Sequence, residues 1–167
     1  ACGSLRESIH PGDIVIPDQV FDFTKLRQSS FFGNGWVAHI SVAEPYCRVL
    51  RDMTVNVLKR TNHTIHQDGT FIIIEGPRFS TKAESYTFRA WGMDIIGMTA
   101  SPEIFLAREA GMCYVTMAHV TDFDVWHESE ATVTIEMVVK TLQENIDTAQ
   151  KAIMQLVPML ARKSSSC

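Results

Sequence analysis

Two carboxylates, Asp122 and Asp124, stand just behind the most strand-like run of the chain, Cys113-Tyr114-Val115-Thr116-Met117-Ala118-His119. A run this apolar reads as a buried strand of an α/β sheet. Ligands of open α/β sheets bind beyond the carboxyl ends of strands, so the pair falls where such a fold does its chemistry. Extended backbone turns residues two apart to the same side. Phe123, Val125 and Trp126 surround the pair with apolar surface, and a carboxyl group so placed tends to keep its proton. It can then donate to a ring nitrogen or protonate a leaving group. The spacing fits ordinary loop carboxylates capping the next helix equally well, and the pair alone does not choose.

Two more strand ends converge on the same region if the sheet is built this way. Phe71-Ile72-Ile73-Ile74 runs into Glu75-Gly76-Pro77-Arg78-Phe79-Ser80, and Asp94-Ile95-Ile96-Gly97-Met98 runs into Thr99. A phenylalanine beside a serine can stack on a flat ring and bond its edge. A methionine can lie under a sugar. A threonine hydroxyl at a helix N-terminus suits an anion. Each has a plainer role too: Phe79 and Met98 as core, Thr99 as a cap. His63 and His66 form an H-x-x-H pair, but no carboxylate or cysteine joins them at a familiar ligand spacing, so no metal site is expected.

These groups need elements to hold them. Ala1 to Leu5 is small and turn-like, and Ile14-Val15-Ile16 is a short buried strand. Residues 17 to 36 read as a long loop, whose Phe21, Phe23, Phe31, Phe32 and Trp36 are too many for a free linker. Val37 to Val42 reads as a strand carrying His39. A helix is expected from Tyr46 to Thr61, with Val49, Leu50, Met53, Val57 and Leu58 on one face. Thr81 and Glu84 make a capping box for the helix that Gly92 ends. Ser101 as N-cap and Pro102 at the first helical position open another. A long helix from about Val133 to Leu156 presents Ile135, Val138, Val139, Leu142, Ile146, Ala149 and Ile153 on one face, with Pro158 as its stop. Strands alternating with helices, and strands apolar on both faces, give an α/β fold.

The chain has 167 residues, room for one domain with a sizeable core. A net charge of −4 gives no electrostatic case for nucleic acid. No apolar run approaches a membrane span. Cys2, Cys47, Cys113 and Cys167 contain no C-x-x-C and read as free thiols of a reducing compartment.

Taken together, the motifs resemble the 5′-methylthioadenosine phosphorylases of the trimeric purine nucleoside phosphorylase family. The matching stretches include Ala1-Cys-Gly-Ser-Leu-Arg-Glu7, Pro11-Gly-Asp-Ile-Val15, Ala43-Glu-Pro45, Ile74-Glu-Gly-Pro-Arg-Phe-Ser80, Met98-Thr99, Pro102-Glu103 and Thr121-Asp122-Phe123-Asp124, and reach from Ala1 to about Pro158. The resemblance implies a nucleoside phosphorylase fold, a central mixed β-sheet flanked by helices. It implies phosphorolysis of methylthioadenosine to adenine and 5-methylthioribose 1-phosphate, in purine and methionine salvage, with phosphate as co-substrate and no cofactor. It assigns Asp122 as the acid at purine N7 and Asp124 as its support or the reader of the exocyclic amine. Phe79 stacks on the base, Ser80 lies near its edge, Cys2 and Gly3 line its site, and Thr121 is among the substrate-binding residues. Met98 lies beneath the ribose, and Thr99 with Ala1 holds phosphate and ribose. His39, Ile135 and Val138 line the methylthio pocket, His39 from a neighbouring subunit of a homotrimer. It implies a cytoplasmic protein, with the nucleus as a further compartment.

The chain departs from the pattern in places. Ile135 stands where a smaller valine is usual, and His119 and Val120 where smaller residues are usual. Family members carry a long preceding segment with a Gly-rich phosphate loop and a phosphate-binding arginine and histidine. The expectation is therefore that residues 1–158 are the C-terminal part of a single phosphorylase domain, incomplete on its N-terminal side, with 159–167 as a tail. The alternatives are another purine nucleoside phosphorylase, for which an asparagine would be expected at Asp122, or a non-catalytic truncated fragment.

Overall fold

The computed structural model describes residues 1–128 and 135–161; in the last helix the side chains of residues 137, 138, 140, 141, 142 and 144 lie outside the description. In chain order the elements are β1 (Cys2–Ser4), β2 (Ile14–Val15), β3 (Gln19–Phe23), α1 (Arg48–Leu58), β4 (Ile65–His66), β5 (Thr70–Ile74), α2 (Lys82–Ala90), β6 (Ile95–Gly97), α3 (Glu103–Glu109), β7 (Ala118–Phe123) and α4 (Ile135–Leu160). The strands form one seven-stranded sheet in the order β3-β5-β6-β1-β7-β2-β4. It is mixed, as the α/β reading with a central mixed sheet expects. β3, β5 and β6 run parallel, β1 runs against β6 and alongside β7, and β2 runs against β7 and alongside β4.

The isoleucine run of β5 explains why this strand sits inside the sheet. Phe71 and Ile73 pack with Val15, Ile95 and Val120, while Ile72 and Ile74 pack with Leu5, Phe88 and Ile96. Both faces are covered, so alternation is between two cores and not between core and water. Each such buried side chain contributes about 1.5–3 kcal/mol as an upper figure. A third cluster joins Ile14 and Ile16 to Met53, Val57 and Leu58 of α1 and to Ala152 and Leu156 of α4. The capping box of α2 forms as its sequence predicts. Thr81 Oγ1 accepts from the Glu84 amide at 3.2 Å, and the Glu84 carboxylate accepts from the Thr81 amide at 2.7 Å. Gly92 ends the helix with a φ of +84°, a conformation open to glycine.

Several elements fall elsewhere than expected. The turn-like Ala1 to Leu5 contains β1, flanked by β6 and β7 near the middle of the sheet. The expected long loop contains β3, which pairs with β5 along its whole length. No strand forms over residues 37–42, which are exposed except for the half-exposed Val42. The strand expected at 113–119 is instead Ala118–Phe123, because residues 113–117 are only partly covered and stay outside the ladder. The Ser101 hydroxyl donates to Asp22 at 2.6 Å and caps no helix; Pro102 stands at the cap position of α3. Pro158 does not stop α4, which carries it in its final turn. Among the described side chains of α4, Asn145, Ala152 and Leu156 are buried, while Ile135, Val139, Ile146 and Ile153 remain exposed; those of Val138 and Leu142 lie outside the described residues.

His63 bonds the Gly12 carbonyl at 3.0 Å and Thr148 Oγ1 at 2.9 Å, and His66 Nε2 meets Asp13 at 2.8 Å, so both have structural partners. The free-thiol expectation holds at the buried Cys2 and fails at Cys113, which is disulfide-bonded. Among the described residues no helix is long and apolar enough to cross a membrane.

Candidate active site

A cavity of about 360 Å³ opens over β6, β1 and β7. Ala1, Cys2 and Gly3 line it from β1 and its approach, Ile96, Gly97, Met98 and Thr99 from β6 and its end, and Thr121, Asp122 and Asp124 from β7. Ile74, Phe79 and Ser80 close it from the end of β5. Its volume is that of a small-molecule site, mostly apolar with a few polar groups aimed inward.

Asp122 is the penultimate residue of β7 and Asp124 the first beyond it, so the pair does sit at the carboxyl end of its strand. β7 runs parallel to β1 and therefore opposite to β5 and β6, so its carboxyl end meets the cavity from the other direction than theirs. Asp122 is within the strand and reaches the cavity across Gly3. The pairing Cys2↔Val120, Gly3↔Asp122 skips one residue of β7 and leaves Thr121 as a bulge. A bulge breaks the alternation of sides, which is why Thr121 and its neighbour Asp122 both line the cavity.

Gly3 keeps that floor open. A β-carbon there would lie 3.2 Å from Asp122 Oδ2 and 3.2 Å from Ile96 Cγ2. At Gly97 one would lie 2.8 Å from the Phe71 ring, which would have to move to admit any side chain. Ile74, Ile96 and Gly97 are lining residues that motif reading missed; a glycine inside a strand pattern is the signal that could have found the last.

Asp122 is buried, and burial raises its pKa from 3.8 to about 6, with the Asp124 charge adding to the rise and the Thr121 hydroxyl opposing it. Thr121 Oγ1 lies 2.6 Å from Asp122 Oδ1 and 3.2 Å from the Cys2 carbonyl. Its one hydrogen serves Asp122 when that group is ionised and the carbonyl when it is not. Asp124 is buried and raised by desolvation as well, opposed by the Val125 amide and the Ser80 hydroxyl. Ser80 Oγ is 3.2 Å from each Asp124 oxygen, which fixes the plane of that carboxylate. Above them Phe79 is 42% exposed, a ring free to cover a planar ligand. Burial pushes the Cys2 thiol up to about 12, so it contributes surface and no nucleophile.

Of the residues the sequence singles out, Ala1, Cys2, Gly3, Phe79, Ser80, Met98, Thr99, Thr121, Asp122 and Asp124 come together here. His39 is exposed and outside this cavity. Ile135, 68% exposed at the start of α4, is outside it too. The Val138 side chain lies outside the described residues. The helix after Thr99 is a poor anion site: α3 starts only at Glu103, has 7 residues, and carries that acid in its first turn.

A family profile described as "Phosphorylase superfamily" matches residues 1–158. The chain is 48% identical over 166 residues to S-methyl-5'-thioadenosine phosphorylase of Xenopus tropicalis, covering 96% of this chain and 59% of the relative. It is 50% identical over 161 residues to the protein of the same name from Hyperthermus butylicus, covering 96% and 58%. Methylthioadenosine phosphorylase from Schistosoma mansoni, solved in complex with adenine, superposes with a TM-score of 0.93 at 33% identity, over 98% of this chain and 64% of that one. A methylthioadenosine phosphorylase from an antarctic soil metagenomic library gives 0.91 at 45% identity, over 99% and 58%. The chain thus spans less than two thirds of the length of these relatives, and over that span it has their fold.

Proposed function

Because the chain belongs to the phosphorylase superfamily, we propose that it serves the phosphorolysis of 5′-methylthioadenosine. Phosphate attacks C1′ of the ribose, the C1′–N9 bond breaks, and its electron pair passes into the purine. Adenine and 5-methylthioribose 1-phosphate leave. Adenine is a poor leaving group as an anion, so N7 must gain a proton as the bond breaks. The observation that carries this reading is Asp122: a buried carboxyl raised to about 6, facing a cavity of a purine's size, is such a proton source. Asp124, aligned by Ser80, accepts from the exocyclic amine. Phe79 stacks on the base, Met98 lies under a ribose with oxocarbenium character, and Thr99 with Ala1 meets phosphate and ribose.

The reading needs phosphate as co-substrate and no cofactor. It places the work in purine and methionine salvage in the cytoplasm. It includes a homotrimer in which His39 reaches from one subunit into the methylthio pocket that Ile135 and Val138 line in its neighbour. The exposed stretch that includes Phe31 and Trp36, the latter 77% exposed, supports such an interface.

The test is Asp122→Asn in the complete protein, assayed on methylthioadenosine and on a 6-oxopurine nucleoside. Loss of the carboxyl proton should lower adenine release about 100-fold or more. Preference should turn towards the 6-oxopurine, since an amide donates to N7 without a transferable proton. Unchanged release of adenine would remove Asp122 from the mechanism.

A further inference from the structure

The cavity has two separate walls, the 75–80 segment with Phe79 and Ser80 and the 98–101 turn with Met98 and Thr99. They leave the sheet where β5 and β6 part, past the last rung at Ile73↔Gly97. Beyond that rung no ladder holds one wall to the other, yet a stacked ring and a ribose contact must keep their spacing. Among the described residues two side chains cross the gap: Met98 packs against Gly76, its sulfur 2.8 Å from where a β-carbon there would stand, and Arg27 supplies a polar tie. Arg27 Nη2 donates to the Ile74 carbonyl at 3.3 Å and the Glu75 carbonyl at 2.9 Å, and its Nη1 donates to the Ser101 carbonyl. Its Nε donates to Glu75 Oε1 at 3.2 Å. The other Glu75 oxygen accepts from the Lys25 and Leu26 amides at 2.5 and 3.0 Å, which holds the Arg27 loop itself. The Arg27 side chain is only 20% exposed and does not line the cavity.

We infer that Arg27 is a positioning residue, which ties the root of the 75–80 wall to the 98–101 turn and so sets the width of the base-binding cavity. This rests on the purine reading above for the ligand, but not for the tie. The guanidinium is suited to the task because its planar fork offers five donors in fixed directions, whereas a lysine offers one compact ammonium. Arg27→Lys is therefore not conservative here. Backbone carbonyls at the strand ends would be left without this partner in either variant.

The experiment compares the chain with its Arg27→Gln, Arg27→Lys and Glu75→Gln variants by amide hydrogen exchange and by calorimetric titration with adenine. In both Arg27 variants, residues 76–80 and 98–101 should exchange faster together, and adenine affinity should fall about 10-fold to 100-fold, the scale of a misplacement near 1 Å. The pH dependence of adenine binding, set by Asp122, should not move. Arg51→Gln is the control. Arg51 also bridges a carbonyl and a carboxylate, Gln67 and Asp68 at 2.5 and 2.9 Å, but away from the cavity. It should lower the melting temperature without either effect. An Arg27→Gln protein that binds adenine as the wild type does, or in which only one wall loosens, overturns the inference. So does full recovery by lysine. Should Arg27→Gln fail to fold, Glu75→Gln decides: its one oxygen can keep the Lys25 and Leu26 amides while its NH2 faces and loosens the guanidinium, so residues 76–80 and 98–101 should again exchange faster together, and unchanged exchange overturns the inference. A wild-type chain that does not bind adenine would overturn the purine reading, while exchange would still decide the tie.

Discussion

Asp122 and His119 sit three residues apart on β7 and are pushed in opposite directions. Burial raises Asp122 to about 6, while burial lowers His119 from 6.5 to about 4, with His63 adding to the fall. Among the described residues neither ring nitrogen of His119 has a hydrogen-bond partner, consistent with a neutral imidazole held at a cost. The signs follow from linkage. A carboxyl with a raised folded pKa favours the fold below its unfolded value and loses that contribution as pH rises through about 6. A histidine with a lowered folded pKa favours the fold above its unfolded value, and that is lost as pH falls from 6.5 through about 4. Each shift corresponds to on the order of 3 kcal/mol, so the two nearly cancel in the wild type. Between pH 7 and 5, above the range where Glu84 (held down to about 2 by Arg78) starts to protonate, the melting temperature should be nearly flat. Asp122→Asn should expose the His119 slope and lose stability on acidification. His119→Met should expose the Asp122 slope and gain stability. Melting curves at five pH values for the three proteins check this; parallel curves would mean that neither group titrates as described.

At the scale of elements, β1 is the piece on which the site depends, and its smallest residue is the most exacting. Gly3→Ala places a methyl group 3.2 Å from both Asp122 and Ile96. Alanine suits a strand better than glycine by about 0.5–1 kcal/mol, so the melting temperature should hold or rise slightly. The added carbon nevertheless crowds the carboxylate and the cavity floor, and adenine affinity should fall about 10-fold, roughly 1.4 kcal/mol. A titration beside a melt separates the two; equal binding would show that the floor has slack. β1 also shows where reading from sequence stops. Ala1-Cys2-Gly3-Ser4 has no strand propensity, and its place between β6 and β7 comes from the space that only small residues leave for Asp122 and Thr121. β3 was hidden for the opposite reason: its aromatics, Phe21 and Phe23 against Phe88 and Trp91, belong to a cluster that forms only once α2 is docked. The bulge at Thr121 is set by pairing with a distant strand and leaves no mark in the local pattern. By contrast β5, β6 and α2 were legible, because an isoleucine run and a capping box act through near neighbours. The motif residues from Ala1 to Asp124 were legible as a set through family resemblance, while the two-sided reach of the cavity required the sheet.

For the whole molecule, the two halves of the proposed reaction are unequally provided. The purine half is complete: stacking ring, carboxyl proton and oriented acceptor all face one cavity. The phosphate half is not. Phosphate must be stripped of water and aimed at C1′, which requires several converging donors. Among the described cavity residues Thr99 brings a hydroxyl, but the helix beyond it begins with Glu103, whose carboxylate repels an anion. Apolar surface is also left uncovered, at Phe31 and Trp36 and along α4 at Ile153, Met154 and Val157. A chain spanning 59% and 58% of its relatives' length fits both observations if further polypeptide and further subunits complete them. Sedimentation of the complete protein should then give three times the chain mass, and a fully active monomer would contradict shared sites. Residues 1–167 alone should bind adenine yet turn over methylthioadenosine slowly, with no saturation in phosphate. The measurement is adenine release against phosphate concentration, for this chain and for a full-length relative side by side. Linear, weak dependence in the one and saturation in the other would match a purine half without its phosphate half. Saturation in both, at similar rates, would mean that the groups around Thr99 suffice for phosphate and that the division of the site argued here is wrong.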